Sequence, residues 1–349
     1  MSGARSADLA RLVDLVELFS QQTILLLGDF VADEFVFGEI SRVSREAPVL
    51  ILHQKKTRTL PGGGANAANN LVDLGARVRM VSAVGSDAAG EQLVEYFKAK
   101  GVDTSGLVRI EGWTTPAKTR FLAGWPHTTF QQVLRMDREP AQALPAKDVD
   151  SLVRKARQGL RGASAMLVSD YGYGTATPDR LRAIRGRKPW PAPVALDSRY
   201  RLQEYAGLGL TAATPNEAEL EAVHNTRFGP GGGQMEALAR RTVTRLGIHA
   251  LVITRGHDGM TVFERGRSPQ ALPIFGSDQA VDVTGAGDTV IAVFCVAMAA
   301  GATTLEAAQL ANYAGGIVVM KRGTATVTRE ELLDAIRSDA TGAAPPVKK

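Results

Sequence analysis

The feature that most constrains the fold is a short apolar run that recurs along the chain and ends each time in polar residues. Four clear copies are "TILLLGD" (23–29), "SAMLVSDYG" (164–172), "PVALDSR" (193–199) and "ALVITRG" (250–256). Runs this short and this apolar are typical of strands that are buried on both faces of a parallel sheet. Because parallel strands need long crossovers, the sequence predicts an α/β protein with a central, mostly parallel sheet.

Helical patterns separate these runs, as a parallel sheet requires. They cover residues 146–160, 178–185, 216–222 and 233–246. In open α/β sheets, ligands bind beyond the carboxyl ends of the strands. Charged residues lie at or just past several strand ends: Asp29, Asp33, Asp170, Asp197 and Arg255. Each one alone is as well explained by a helix cap or a solvated loop, but their shared position favours a ligand site at this edge.

Two segments interrupt the alternation of strands and helices. Residues 33–61 and 114–137 alternate apolar and polar side chains, with apparent turns at Gly38, at Ala47-Pro48 and at Gly124-Trp125-Pro126. Period-two alternation is typical of antiparallel hairpins with one exposed face. The sequence therefore predicts a small β lid over the site, formed by segments of about 34–60 and 113–137.

The charge and the cysteine content exclude several classes of protein. The chain of 349 residues has 41 basic and 36 acidic residues, and the resulting charge of +5 is dispersed. That pattern fits small anionic substrates better than nucleic acid, which needs a concentrated basic face. Cys295 is the single cysteine, so an internal disulfide is impossible. The longest apolar run, 290–300, is too short to cross a bilayer, and we expect a cytoplasmic protein without nucleic-acid or membrane partners.

The two ends of the chain differ from the central region. Residues 1–22 combine spaced apolar residues with acidic ones, which predicts an amphipathic helix rather than a signal peptide, packed on the body or on a partner. Residues 23–337 are expected to form one domain. Residues 338–349 have few apolar side chains, and a disordered tail is predicted there.

Several familiar motifs are absent or fail in context. The sequence has no G-x-x-x-x-G-K-[ST], which excludes a P-loop enzyme. Its histidines show no spacing typical of zinc ligands; they are His53, His127, His224, His249 and His257. "GGGANA" (62–67) matches G-x-G-x-x-A but follows "TLP" instead of an apolar strand. We therefore reject a dinucleotide-binding fingerprint.

The stretch "LPGGGANAANNLVDLG" (60–75) has another interpretation. Its three glycines permit close approach of the backbone to a ligand. The apolar positions that follow predict a helix ending at Gly75, with Asn66 at its start and the amide free to bind a hydroxyl-rich ligand. The alternative is a glycine turn in which Asn66 is only the helix N-cap.

The stretch "DVTGAGD" (282–288) points to chemistry more specifically. Gly285, Ala286 and Gly287 carry almost no side chain, so their N–H groups can face outward at a helix N-terminus and bind an anion. Asp288 follows in the first turn. A carboxylate beside an anion site can take a proton from a hydroxyl while the N–H groups hold a phosphoryl group. A capping aspartate alone would not explain the Gly-Ala-Gly step.

Together the two stretches resemble the paired signatures of the ribokinase-like (PfkB) sugar kinases. The resemblance extends from about Thr23 to Ile336. It implies a three-layer sandwich in which helices cover both faces of a mostly parallel sheet, with a β lid. It also implies ATP as phosphoryl donor, Mg²⁺ and a sugar or sugar phosphate as acceptor. An intact Asp288 argues against a regulatory protein built on a kinase fold.

Other stretches are similar to the kinases of ADP-heptose synthesis. These stretches are "LLLGDFVADEFVFGEISRVSREAPVLIL", "PAKTRF" and "ANYAGGIVVMKRGTATVTREEL". The resemblance implies phosphorylation of the C1 hydroxyl of D-glycero-D-manno-heptose 7-phosphate, by a kinase without an attached nucleotidyltransferase domain. One departure is Asp197-Ser198-Arg199, where heptose kinases tend to have Asp-Pro-Lys. The alternative is another PfkB kinase, acting on ribose, fructose, another sugar phosphate or a nucleoside.

The resemblance assigns roles to individual residues. Asp288 matches the catalytic base, and Gly285, Ala286 and Gly287 match the anion hole. The residues matched to the sugar side are Asp33, Gly62, Gly63, Asn66 and Asp170. Those matched to the nucleotide are Asn216, Glu219, Thr254, Gly256, Gly259 and Asn312. Of these, Asn216 and Glu219 would organise Mg²⁺ through water, while Asp282 and Thr284 match a site for a monovalent cation such as K⁺.

Two further expectations concern the lid. Lys118 and Arg120 are two residues apart on a predicted strand, so their side chains share a face that could bind a substrate phosphate. The alternative is a solvated lid face. An amphipathic lid is also a plausible surface for a homodimer.

Overall fold

The computed structural model describes residues 2–125, 128–229, 233–277 and 279–341. In these residues the helices are α1 Ser2–Glu17, α2 Gly64–Asp73, α3 Ala88–Ala99, α4 Ala146–Gly159, α5 Pro178–Arg185, α6 Glu217–His224, α7 Gly233–Leu246, α8 Ala286–Ala299, α9 Thr304–Val318 and α10 Arg329–Thr341. The strands are β1 Thr23–Gly28, β2 Phe30–Val43, β3 Leu50–Gly63, β4 Arg77–Gly85, β5 Leu107–Ile110, β6 Ala117–Gly124, β7 Gln131–Arg138, β8 Ala165–Asp170, β9 Val194–Ser198, β10 Ala212–Ala213, β11 Ala250–Thr254, β12 Met260–Glu264 and β13 Gln270–Leu272.

The main sheet confirms the predicted mostly parallel topology. Its order is β13-β12-β11-β10-β9-β8-β1-β4-β5. The seven strands from β11 to β5 pair in parallel, whereas β12 and β13 pair antiparallel at one edge. The four apolar runs that suggested the sheet are β1, β8, β9 and β11, and the four helical patterns between them are α4 to α7.

Burial on both faces of this sheet explains the continuous apolar runs. Alternate residues of β1 belong to different cores, with Ile24 and Leu26 packed on one face and Leu25 and Leu27 on the other. All four are less than 2% exposed. Since each face is covered by helices, the protein is the predicted three-layer sandwich.

A second sheet of four strands forms the lid. Its order is β3-β2-β6-β7, in which β2/β3 and β6/β7 are the two predicted antiparallel hairpins and β2 pairs with β6 in parallel. Gly38 is not a turn, as the sequence suggested; it lies inside β2 at a register shift, where the strand bulges against β3. The predicted turn at Gly124-Trp125-Pro126 can be followed only to Trp125, because Pro126 and His127 lie outside the described residues.

The N-terminal segment packs on the body of the protein. Leu12, Leu15, Val16 and Phe19 are buried in the same core as β1 and α8, and α1 packs against α10. This packing agrees with the expectation that the predicted amphipathic helix lies on the body of the protein. At the other end, α10 continues to Thr341, so helix occupies the first four residues of the predicted disordered tail. Residues 342–349 lie outside the described range.

Helix α8 is deeply buried and begins near the carboxyl edge of the sheet. It begins after Gly285, whose φ of 79° is one that glycine adopts without strain. Ten of its residues, Asp288 to Ala297, are buried. Within the part of the chain that the structure covers, neither α8 nor any other helix combines the length and apolarity needed to cross a membrane.

Candidate active site

Asp288 lies in the first turn of α8 and is held by two neutral donors. The side chain is 3% exposed. Asn66 Nδ2 donates a hydrogen bond to Oδ2 at 3.0 Å, and the Tyr171 hydroxyl donates one to Oδ1 at 2.8 Å. Each carboxylate oxygen therefore has one fixed partner, and each retains a lone pair for a further contact.

Burial makes Asp288 a much stronger base than an ordinary aspartate. Desolvation raises its pKa from the usual 3.8 to about 7, and the hydrogen bonds from Asn66 and Tyr171 oppose this only in part. Among nearby charges, Asp33 raises the pKa further and Lys118 lowers it. A carboxylate that titrates near neutral pH suits general-base catalysis.

Asn66 joins the two signature stretches directly. It lies in the first turn of α2, where the N-cap is Gly63 and not Asn66 itself. Its Nδ2 also donates to the Gly285 carbonyl at 3.3 Å, and a Cβ on Gly285 would lie only 2.5 Å from that nitrogen. Asn66 is thus fully buried and engaged with the α8 turn, which overturns the expectation of an amide free to bind a sugar hydroxyl.

The glycines that precede α2 allow close approach to protein atoms. A Cβ on Gly62 would lie 2.6 Å from Asp33 Oδ2, and one on Gly63 would lie 3.0 Å from the Val31 side chain. Gly62 was expected to let the backbone approach a ligand. In the structure its lack of a side chain instead makes room for the Asp33 carboxylate. That carboxylate is 3% exposed, and its burial raises its pKa.

Of the two residues predicted to bind a substrate phosphate, Lys118 and Arg120, only Lys118 is not paired with a carboxylate of the described residues. Arg120 Nη1 donates to Asp33 Oδ1 at 2.6 Å, and the guanidinium also lies over the Phe35 ring. Arg120 is 8% exposed, so the alternative of a solvated lid face is wrong for this residue. Lys118 instead lies over the Tyr171 ring, with Nζ 5.3 Å from the ring centroid. Lys118 therefore lies near the base.

Four of the six residues matched to the nucleotide line one cavity of about 210 Å³, together with part of the α8 turn. Thr254 ends β11, Gly256 and Gly259 follow it, and Asn312 lies on α9. Asn312 Nδ2 donates to the Pro273 carbonyl at 2.7 Å. Much of the remaining wall is apolar, as a nucleotide base requires; it includes Met260, Ile274, Val290 and Val319.

A neighbouring cavity of about 430 Å³ contains the carboxylates. Asp288, Asp197 and Glu219 all line it. Burial raises the pKa of Asp197 well above its usual value, and Glu219 and Asp288 raise it further by repulsion. Asn216 and Glu219 form a capping box at the start of α6, with Asn216 Oδ1 accepting from the Glu219 N–H at 2.8 Å.

The two cavities meet at the α8 turn. Gly287 and Thr254 line both of them. A Cβ placed on Gly287 would have no atom within 4 Å, so the space beside this glycine is open. The first N–H groups of a helix have no partners within the helix and attract anions. The Ala286 N–H already donates to the Val283 carbonyl at 3.2 Å, so a phosphoryl group that passes between the cavities would meet the next N–H groups, those of Gly287 and Asp288.

Asp170 does not belong to the open site, contrary to its assignment to the sugar side. It is 2% exposed, and Ser198 and Tyr205 donate to Oδ2 at 3.0 and 2.8 Å. The Arg201 guanidinium bonds both oxygens. Asp29 is similarly engaged by the backbone N–H groups of residues 171, 173 and 175. Both carboxylates brace the loop after β8.

Asp282 and Thr284 line a third cavity of about 600 Å³ between the lid and the body. Both Asp282 oxygens accept backbone N–H groups, from Thr284 at 2.9 Å and from Gly323 at 2.8 Å. Three guanidinium groups line the same cavity, on Arg58, Arg120 and Arg322. This cavity is the most cationic of the three beside the lid and α8.

Sequence reasoning missed two features of the site. Tyr171 received no role, because a tyrosine one residue past a strand carries no distinctive signal. Asp197 was named at a strand end and in the Asp197-Ser198-Arg199 departure, but it was given no role. Because Asp170 also ends a strand, the sequence gave no way to tell that Asp197 faces a cavity and Asp170 does not.

A parallel sheet with a β lid, a carboxylate at a glycine turn and two adjoining cavities define a phosphoryl-transfer enzyme of the ribokinase-like class. The model of the "pfkB family carbohydrate kinase" matches residues 31–331. The chain therefore belongs to the pfkB family of carbohydrate kinases.

Similar proteins include the "Bifunctional protein HldE" of Mesorhizobium japonicum, 40% identical over 326 residues. The protein of that name from Desulfatibacillum aliphaticivorans is 37% identical over 329 residues. These alignments cover 91% of the chain in both cases, but only 62% and 63% of the relatives. The chain thus spans less than two thirds of their length.

Solved structures share the fold at low sequence identity. Ribokinase of Arabidopsis thaliana, complexed with ribose and ATP, superposes with a TM-score of 0.68 and 21% identity, covering 90% of this chain and 98% of that one. Phosphofructokinase-2 of Escherichia coli in complex with fructose-6-phosphate gives a TM-score of 0.72 and 16% identity, with coverage of 90% and 98%.

Proposed function

We propose that the chain transfers the γ-phosphoryl group of ATP to the C1 hydroxyl of D-glycero-D-manno-heptose 7-phosphate. This reaction belongs to the synthesis of ADP-heptose, a precursor of the lipopolysaccharide core. The observation that carries the proposal is the buried Asp288 carboxylate, with a pKa of about 7, at a glycine turn shared by two cavities. The alternative is another acceptor of the same family, such as ribose, fructose, another sugar phosphate or a nucleoside.

The geometry supports a direct transfer. Asp288 takes the proton of the acceptor hydroxyl while the hydroxyl oxygen of the acceptor forms a bond to the γ-phosphorus. The bond from that phosphorus to the bridging oxygen breaks, and ADP leaves. The N–H groups at the start of α8 stabilise the negative charge that is spread over the phosphoryl oxygens. Positioning and electrostatics supply most of the catalysis in such reactions.

The donor set fits Mg²⁺ bound through water and nucleotide phosphates. Mg²⁺ usually takes one or two carboxylates and keeps several waters. Asn216 and Glu219 lie on the wall of the carboxylate cavity, and burial raises the pKa of Glu219, which a cation would oppose. Across the described ranges, no group of three or more His, Cys, Asp or Glu side chains could hold a metal alone. Mg²⁺ would neutralise phosphate charge there.

The proposed cation site at Asp282 and Thr284 has weaker support. Both Asp282 oxygens already accept backbone N–H groups, although each retains a lone pair. K⁺ would bind there only as a structural ion that fixes the loop before Gly285. Titration of activity with KCl against tetramethylammonium chloride tests this role.

The lid cavity supports a phosphorylated acceptor. Arg58 and Arg322 line it and are exposed, and Arg120, which also lines it, bonds Asp33. Because Arg120 is committed to Asp33, we place the 7-phosphate against Arg58 and Arg322, with Lys118 nearer the reacting end. Arginine matches the geometry of a phosphate with two donors.

A coupled assay over a panel of sugars and sugar phosphates tests the acceptor. We expect the heptose 7-phosphate to give the highest kcat/KM. Arg58→Ala and Arg322→Ala should raise KM for the phosphorylated sugar by roughly tenfold or more, since a charge-assisted hydrogen bond contributes about 1.5–3 kcal/mol. Lys55→Ala is the control, because Lys55 lies on the same strand but pairs with Glu39 at 2.9 Å. Preference for an unphosphorylated sugar would favour the alternative.

We also propose a homodimer through the lid, in the cytoplasm. The edge strand β7 is exposed along its whole length, and unpaired edges favour pairing with another chain. The exposed large apolar side chains in the described part of the lid are Val43, Val49, Leu50, Trp125, Phe130, Val133, Leu134 and Met136. Sedimentation should show that Leu134→Lys is monomeric, whereas Met320→Lys, off the lid, stays dimeric. A monomeric wild type would contradict the proposal.

A further inference from the structure

Tyr171 is fixed from two sides at the carboxyl edge of the main sheet. It directly follows β8, and its backbone N–H donates to Asp29 Oδ2 at 2.9 Å. Its hydroxyl donates to Asp288 Oδ1 at 2.8 Å. The ring lies against Gly63, where a Cβ would come within 3.3 Å of Tyr171 Cδ2. The tyrosine therefore connects the braced loop after β8 to the start of α8.

The hydroxyl complements the bond from Asn66. Asn66 Nδ2 holds Oδ2 at 3.0 Å, and Tyr171 holds Oδ1. A carboxylate with one donor on each oxygen cannot rotate about χ2 without losing a hydrogen bond in a buried site, which is costly. The plane of the carboxylate is therefore set by residues from two other elements, and one lone pair of each oxygen is left for the acceptor hydroxyl.

We propose that Tyr171 is a positioning residue for phosphoryl transfer, whose hydroxyl orients the Asp288 carboxylate towards the acceptor and stabilises its ionised form. The proposal rests on the proposed function of Asp288 as the base. It assigns Tyr171 no proton transfer of its own. The proton of the acceptor hydroxyl goes to Asp288, and the phenolic proton stays on Tyr171.

The surroundings of Tyr171 agree with a permanent donor. Burial raises the pKa of its phenol well above 10, and the negative charges of Asp288 and Asp197 raise it further. Lys118 lies over the ring face, and the negative charge of Asp33 on β2 also raises the pKa of the phenol. The hydroxyl therefore keeps its proton over the whole range in which Asp288 titrates.

Tyr171→Phe tests the role, because it removes the hydroxyl and keeps the ring that packs on Gly63 and under Lys118. Losing a donor to the ionised form raises the pKa of the carboxylate. The acid limb of the pH profile of kcat/KM should therefore move up by about one pH unit, and kcat at pH 7 should fall about tenfold. ATP binding should stay within twofold.

Tyr173→Phe is the matched control. Tyr173 lies two residues along the same loop, and its hydroxyl donates to the exposed Glu139 at 3.0 Å, away from the base. The phosphates of the substrates titrate identically in assays of every variant. A difference between two variants in the acid limb of the pH profile therefore reports a change in the enzyme. We expect the profile of Tyr173→Phe to overlay that of the wild type.

A limb that stays in place in Tyr171→Phe, or that moves equally in both variants, would overturn the proposal. Asp288→Asn separates this failure from that of the proposed function. If Asp288→Asn is inactive but Tyr171→Phe has a wild-type profile, only the role of Tyr171 is wrong. If Asp288→Asn is active, the base itself is misassigned.

Discussion

Asp170 and Asp288 lie at the same edge of the protein and are buried to the same degree, but their partners differ in kind. Asp170 is bonded by the Arg201 guanidinium as well as by Ser198 and Tyr205. Asp288 is bonded only by neutral groups, the Asn66 amide and the Tyr171 hydroxyl. One carboxylate is neutralised by a cation in contact, whereas the other is merely oriented.

The difference shows how the same edge of the sheet can hold both a structural carboxylate and a catalytic base. A guanidinium in contact compensates the charge of a buried carboxylate. Neutral donors fix the geometry but leave the cost of desolvation largely uncompensated, so the pKa of Asp288 rises to about 7. Asp29 is also held only by neutral donors, but these are backbone N–H groups of the loop after β8. We infer that two features together make Asp288 a base: it has no contacting cation among the residues that the structure describes, and it lines an open cavity.

Asp288→Asn should have the largest effect on activity. An amide keeps the shape of the carboxylate but cannot accept the proton, and loss of a general base typically lowers the rate by about 10²–10⁴. Affinity for ATP and the sugar should stay within several-fold, as measured by titration calorimetry. A variant with nearly wild-type kcat would contradict the assignment of the base.

Asp170→Ala should have the opposite effects, with a large loss of stability and little loss of activity. It leaves Arg201 without its buried carboxylate, and breaking a buried pair costs about 3–5 kcal/mol of unfolding free energy. Activity per folded molecule should be retained within several-fold. Asp179→Ala is the control, because its bridge to Arg182 is exposed and should contribute less than about 1 kcal/mol. Equal losses of stability in the two variants would remove the distinction between them.

Asp288→Asn should also stabilise the fold at alkaline pH. The folded pKa near 7 exceeds the usual 3.8, so the folded state binds more protons between these values and loses stability as the pH rises through about 7. At about 1.36 kcal/mol per pKa unit, the variant should be more stable by about 2–4 kcal/mol at pH 8. Chemical denaturation at pH 8 and pH 4 measures this.

The gain in stability should vanish near pH 4, where the wild-type carboxyl is protonated in the folded state. A variant that is less stable than the wild type at pH 8 would mean that the ionised carboxylate is compensated, as Asp170 is. That result would contradict the distinction between the two aspartates.

Asp33 is the intermediate case, since it has both a contacting cation, Arg120, and a place near the base. Asp33→Ala should raise the sugar KM by roughly tenfold or more, because a charged hydrogen bond contributes about 1.5–3 kcal/mol. Nucleotide affinity should be almost unchanged. Separate titrations of sugar and nucleotide decide this, and equal losses for both ligands would make Asp33 a structural residue like Asp170.

The sequence predicted most of the fold because local patterns encode it. Continuous apolar runs identified β1, β8, β9 and β11, and period-two alternation identified both lid hairpins. Glycine signals were less reliable. Gly38 resembled a turn but lies inside β2 at a bulge, since a single glycine satisfies either need.

The roles of the aspartates at the carboxyl edge of the sheet could not be predicted, because they depend on hydrogen-bond donors far away along the chain. The partners of Asp288 lie 222 and 117 residues away, at Asn66 and Tyr171. The commitment of Arg120 to Asp33 similarly depends on the parallel pairing of β2 with β6. The motifs place these residues in one region, but only the fold determines which donor meets which oxygen.

Direct titration of the Asp288 carboxyl tests the central claim without substrates or their phosphates. Carbon-13 NMR of protein labelled at the aspartate side chains, with the Asp288 signal assigned by its loss in Asp288→Asn, would follow this one group. A midpoint near pH 7 is expected for a buried carboxylate held only by neutral donors. A midpoint near the ordinary value of about 4 would show that its charge is compensated, and the account of Asp288 as the base would be wrong.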